Sequence, residues 1–210
     1  MLIEPAKFIL FIGVSWALII APGPDMIYVI TRGVTQGRQA GMLSALGVIC
    51  GILVHTVAAA FGLTLILQTS AFAFLLVKYL GALYLITLGV KAWRDTSTFN
   101  LQTSASNMSF HRVFWQGVLS NVLNPKIAIF FLAFLPQFVD KSSSDITLQM
   151  VTLGLTFAFF GLCFLLVIGY SSGTLGSWLT HRPRYTEFLQ RFAGGILIGL
   201  GARLALVKQE

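Results

Sequence analysis

Among the seven acidic residues, Asp25 alone lies inside an apolar stretch. A charged side chain near the middle of a bilayer costs several kcal/mol, so acids kept there usually handle a substrate or an ion. Asp25 follows Pro22-Gly23-Pro24, whose prolines remove backbone donors and leave carbonyls free over an unwound stretch. Irregular backbone at membrane depth is tolerated only where it is buried in protein or lines a cavity. The plainer role for Asp25 is support of the short helix that starts at Pro24, and that role is compatible with a site.

A second break stands at Asn124-Pro125-Lys126. Asn is a strong helix N-cap and Pro suits the first helical position, so a half-helix is predicted to start at Pro125. Pro24 similarly begins a half-helix behind Gly23. Two helix N-termini near the midplane would seat a carboxylate. Lys126 adds a formal positive charge near the centre of the same stretch. Its alternative is to snorkel to an interface. It lies roughly thirteen residues, about 20 Å of helical rise, from either end, beyond the reach of a lysine side chain. Asp25 lies nearer one end of its own stretch, so a direct Asp25–Lys126 ion pair is left open.

Gln116, Ser120 and Asn121 precede the second break at helical spacing and face the same cavity if the helix is regular. For Asn121, substrate contact and helix–helix hydrogen bonding both fit. His55 is the one histidine within a span; a proton relay and a satisfied core histidine both fit. Trp16 and Tyr84 suit either a path lining or aromatic packing. The candidate substrate-binding set is therefore Asp25, Asn121, Asn124, Lys126 and Gly23. The candidate proton-coupling pair is Asp25 and His55, and the structural breaks are Pro22, Pro24 and Pro125. No catalytic residue is assigned, because neither a nucleophile motif nor a pair of intramembrane acids is present. No metal or other cofactor is expected either, since no His/Cys/acid cluster has ligand spacing. Gly33, Gly37 and Gly41, Gly47 and Gly51, and Gly195 and Gly199 recur every four residues, a spacing that lets helices approach closely.

The elements that hold these residues follow from composition. The 210 residues are 56% hydrophobic and 10% charged, with mean hydropathy +0.84. Soluble domains carry about 25% charged residues. The apolar blocks run to about 20 residues, the length that spans a bilayer as helix. Lipid satisfies no backbone hydrogen bond, so such blocks must be helices or a closed barrel. Phe72 to Val90 shows no strand alternation, which excludes the barrel. The net charge of +7 sits mostly in short loops, where it reports membrane orientation rather than nucleic-acid binding. Cys50 and Cys163 fall in different apolar blocks and read as packing residues. The N-terminus does not read as a cleavable signal.

Six spans are expected, near 8–30, 41–67, 72–90, 113–138, 146–170 and 188–207, in an all-α polytopic membrane fold. Residues 31–40, 68–71, 91–112, 140–145 and 171–187 separate them. The chain reads as one membrane domain: a repeat at 1–94, a Ser/Thr/Asn-rich linker at 95–111 and a repeat at 112–210. Loops one, three and five carry Arg32, Arg38, Lys91, Arg94, Arg112, Arg182, Arg184 and Arg191, against Lys7, Lys141, Arg203 and Lys208 on the other side. The positive-inside rule then places both termini away from the cytosol. Lys78-Tyr-Leu-Gly81 with Gly89 and Lys91 matches Arg191-Phe-Ala-Gly194 with Gly201 and Arg203. The first helix of each half is broken by proline. Three spans per half make the second half inverted, the plan of many secondary transporters, whose paired broken helices mark the binding site.

The motifs also carry a resemblance. Ala21-Pro22-Gly23-Pro24-Asp25, Gly37-Arg38-x-x-Gly41 and Lys78-Tyr79-Leu80-Gly81-Ala82-x-Tyr84-Leu85 in the first half resemble the LysE/RhtB family of amino-acid exporters. Phe114-x-x-Gly117-x-x-x-Asn121-x-x-Asn124-Pro125-Lys126 and Phe134-Leu135-Pro136-Gln137-Phe138 in the second half do as well, and Gly199 to Ala205 fits. The resemblance implies proton-driven efflux of amino acids or close derivatives across a bacterial inner membrane, nearer the homoserine/threonine-type branch. Its partners are then a small amino-acid substrate, protons and membrane lipid, with no nucleic acid; a homo-oligomer is compatible. A zwitterion would set its carboxylate on the half-helix N-termini and Lys126, and its ammonium on Asp25 or freed carbonyls. The competing reading is a passive small-solute or lipid-handling pore, which needs neither a buried acid nor a buried base.

Overall fold

A computed structural model describes residues 3–63, 71–94, 108–140, 145–180 and 183–206. Every regular element among them is helical: α1 (Pro5–Ile20), α2 (Pro24–Gln36), α3 (Arg38–Ala58), α4 (Ala71–Arg94), α5 (Phe110–Val122), α6 (Pro125–Ile129), α7 (Ile146–Thr180) and α8 (Pro183–Leu206). A wide turn at Ala59–Leu63 extends α3, while Phe130–Phe134 and Leu135–Phe138 carry α6 on as wide and then tight helical turns.

Both predicted proline breaks are real bends. The α1 and α2 axes differ by 50°, and those of α5 and the α6 segment by 46°. Ala21, which precedes Pro22, is forced out of helical geometry to φ −58°, ψ 118°. Helix α2 then restarts with Pro24 in its first turn. At the second break Asn124 Oδ1 accepts from Lys126 N, so the predicted N-cap forms.

Three continuous helices are long and apolar enough to cross a membrane, and five units qualify when each bent pair counts as one. The sixth expected span, 188–207, falls in α8, which is not among them. Two expected loops are largely helix instead. Residues 31–40 contain a single non-helical residue, Gly37, whose φ of +86° is the left-handed geometry that glycine alone adopts freely. In the other, α7 runs to Thr180 and α8 begins at Pro183. Hydrophilic composition there does not end the helices, since backbone hydrogen bonding continues through it. Of the linker expected at 95–111, residues 95–107 lie outside the described residues, and α5 already begins at Phe110.

Small residues set the packing. A Cβ on Gly41 would lie 2.6 Å from Gly169 O and one on Gly89 2.7 Å from Gly194 O, while one on Gly47 would overlap Phe114 O. Helices α3 and α7, α3 and α5, and α4 and α8 therefore touch backbone to backbone. Beneath the breaks lies an aromatic core of Phe11, Phe130, Phe131, Phe134, Phe138 and Phe157. Cys50 and Cys163 are free thiols.

Candidate functional site at the two helix breaks

A proline lacks the N–H that should cap the carbonyl four residues earlier. Pro22 thus frees Leu18 O, and Pro125 frees Asn121 O. Both carbonyls find side-chain donors from other elements. Lys126 Nζ donates to Leu18 O at 3.3 Å and to Ala21 O at 3.0 Å. His55 Nε2 lies 3.1 Å from Asn121 O. A carbonyl only accepts, so His55 carries its proton on Nε2 in this contact. The backbone N–H of Asn124 shares Asn121 O at 2.9 Å.

Asp25 stands in the first turn of α2, facing the second break. Its Oδ2 accepts from Asn121 Nδ2 at 2.8 Å and from Asn124 Nδ2 at 2.9 Å. Among the described residues its buried Oδ1 has no hydrogen-bond partner, and neither has Asn121 Oδ1. Buried acceptors normally have a donor, and an orphan costs about 1–3 kcal/mol. Asp25, Asn121, Asn124 and Lys126 are all buried. Asp25 and Lys126 do not close into an ion pair; the Lys126 ammonium is engaged by the carbonyls of Leu18 and Ala21 at the end of α1.

Two glycines make room for these side chains. A Cβ on Gly23 would lie 2.9 Å from Lys126 Nζ, and one on Gly51 would lie 2.7 Å from Asn121 Oδ1. Gly23 is extended, at φ −166° and ψ 179°, so space rather than backbone freedom requires glycine there. A cavity of about 30 Å³ borders Asp25, Lys126 and the apolar Val48, Ile52, Phe157 and Gly161. That volume suits one or two waters and is smaller than an amino acid.

Asp25, Asn121, Asn124, Lys126 and Gly23 thus converge, and His55 joins them through Asn121. Gln116, expected in the same cavity, belongs elsewhere. Its Oε1 accepts from Arg32 Nη2 at 3.1 Å, while Arg32 Nη1 donates to Gln36 Oε1 at 3.1 Å. Tyr28 adds a bond to Val113 O at 2.7 Å. Arg32, counted from sequence as a loop cation, is a buried tie between α2 and α5. The missed signal was its position seven residues after Asp25, two helical turns and so on the same face. Ser120 is not a partner of Asp25 or Lys126. Trp16 packs on Phe160 and Phe164. Among the described residues no group of His, Cys, Asp and Glu is placed to hold a metal ion.

The chain is a multi-pass helical membrane protein with buried polar side chains where two broken helices meet, and its family match makes it a transporter rather than an enzyme. The chain belongs to the LysE-type translocator family, whose profile matches residues 16–208. It is 31% identical over 205 residues to an uncharacterised membrane protein of Bacillus subtilis, covering 93% of this chain and 97% of that one. It is 29% identical over 193 residues to a homoserine/homoserine lactone efflux protein of Salmonella typhimurium, covering 91% of this chain and 92% of that one. An uncharacterised membrane protein of Vibrio cholerae is 29% identical over 191 residues, covering 90% of this chain and 91% of that one. No solved structure matches the chain.

Proposed function

We propose that this protein exports amino acids or close derivatives, of the homoserine/threonine-like or other neutral type, across the bacterial cytoplasmic membrane by proton antiport. The observation that carries the reading is the unpartnered, buried Asp25 Oδ1 at the mouth of two helix breaks. It offers an anionic acceptor to either a substrate ammonium or a proton, and competition between the two couples their movements. Asn121 and Asn124 orient the carboxylate, Gly23 gives clearance, and Lys126 supplies the balancing charge. His55 is the second proton-coupling residue in this reading; it bonds the backbone carbonyl of Asn121, whose side-chain amide holds Asp25, and reaches the carboxylate only when that contact opens. The efflux activity in the name of the Salmonella relative supports an amino-acid-type cargo.

The two halves, 1–94 and 112–210, work in this reading as inverted repeats of three spans, with α8 the sixth. Antiparallel pairing supports it: Thr56 meets Gly154 while Gly41 meets Gly169, and Gly81 meets Leu204 while Gly89 meets Gly194. Both termini then lie on the non-cytosolic side.

The test is export by the purified protein in liposomes. Saturable export that needs a pH gradient and falls sharply in Asp25→Asn is expected. Export undiminished in Asp25→Asn and without a pH gradient overturns the coupling, and flux without saturation indicates a passive pore.

A further inference from the structure

We propose that the Lys126 ammonium occupies the seat of the substrate's own ammonium, as a tethered competitor that cargo must displace. The inference rests on the export reading above and names the ammonium subsite within it. The seat is defined by three features that recognise a primary ammonium group. Leu18 O and Ala21 O converge on Nζ at 3.3 and 3.0 Å. The carboxylate of Asp25 borders the same cavity with one oxygen unpartnered. Gly23 leaves the approach open, since any Cβ there would stand 2.9 Å from Nζ.

A lysine ammonium and an amino acid's α-ammonium carry the same charge and the same three donors. What holds one holds the other. The cavity of about 30 Å³ beside Nζ has no room for a second ammonium with its carbon chain. Two cations at that distance would also repel in a buried setting. Cargo therefore enters only as Lys126 leaves, and the carbonyls of Leu18 and Ala21 pass from one ammonium to the other. The displaced Lys126 is then available to the cargo's carboxylate. A solute with an ammonium but no carboxylate gains the seat without that compensation and binds the wild-type protein poorly.

Calorimetric titration of the purified full chain with n-butylammonium, with n-butanol as the neutral control, tests this. A seat occupied by Lys126 nine-tenths of the time lowers the apparent affinity of a competitor about tenfold. Lys126→Met is expected to tighten n-butylammonium binding by about that factor or more and to leave n-butanol unaffected. Lys126→Arg, which keeps a cation in place, is expected to show no gain. Lys126→Gln retains an N–H donor for the carbonyls and gives the same reading, with a smaller gain, if Lys126→Met does not fold. Unchanged or weaker n-butylammonium binding in a folded neutral variant overturns the proposal. This readout is binding, not transport. Failure of amino-acid export with a positive butylammonium result would therefore count against the export reading and leave the seat standing.

Discussion

Asn121 Nδ2 donates to Asp25 Oδ2 at 2.8 Å across 96 residues of sequence, joining the last turn of α5 to the first turn of α2. This bond holds the two helix breaks face to face and leaves the other carboxylate oxygen without a donor among the described residues. Asn121→Ala leaves Asp25 with the Asn124 amide alone. The loss is worth about 1–3 kcal/mol, and export is expected to fall by roughly tenfold or more. Initial rates in liposomes, with thermal unfolding in detergent beside them, separate a site effect from a folding effect. An unchanged rate would mean that the pair does not shape the site.

Gly23→Ala tests whether space is the reason for glycine. Extended backbone accepts alanine, so any defect must come from the crowding of Lys126 Nζ at 2.9 Å. Export is expected to drop in the single variant. In a Lys126→Met background the same substitution should add little, giving a coupling of about 1 kcal/mol or more in a double-mutant cycle. Additive effects would remove the link between Gly23 and Lys126.

The small-residue contacts are not equivalent. Gly41→Val drives a side chain into the backbone of Gly169, whereas Gly13 has nothing within 4 Å of its Cβ position. Gly41→Val is expected to cost several kcal/mol and to yield little folded protein, while Gly13→Ala stays within about 1 kcal/mol of wild type. Melting of the two variants in detergent decides.

Arg32 forks between Gln36 and Gln116 through separate nitrogens. Lysine keeps the charge but not the planar fork. Arg32→Lys is therefore expected to weaken the α2–α5 tie by about 1–3 kcal/mol, seen as a lower melting temperature, despite the conserved charge. Wild-type stability would show that charge alone suffices.

Span number has a direct topological consequence. Six spans place both termini on one side of the membrane, five place them on opposite sides. Reporter fusions at each terminus are expected to locate both outside the cytosol, and a split result would remove α8 or one bent pair from the count of crossings.

Much of the site was legible because proline chemistry is local. Pro22, Pro24 and Pro125 announce their breaks through a missing N–H, and Asn124 announces its cap. The residues misplaced from sequence fail for the opposite reason. Arg32 lies toward the end of α2, where loop and helix share a hydrophilic composition, and Gln116 lies midway along α5, where helical spacing does not say which neighbour its amide meets; only a partner across the bundle reveals that Arg32 is buried and pairs with Gln116. The loop expected at 31–40 shrank to Gly37 because composition records exposure to water, not the continuity of backbone hydrogen bonds.

By itself, then, the sequence determined that the chain is helical and membrane-embedded, where two helices break, and that one acid and one base lie near those breaks. Each of these follows from transfer energies and backbone donors within a few residues. Tertiary structure alone decided where the freed carbonyls turn. Leu18 O goes to Lys126, 108 residues away, and Asn121 O goes to His55, 66 residues away. No local rule assigns such partners, since a carbonyl accepts from whichever donor the packing of other helices brings within 3 Å or so.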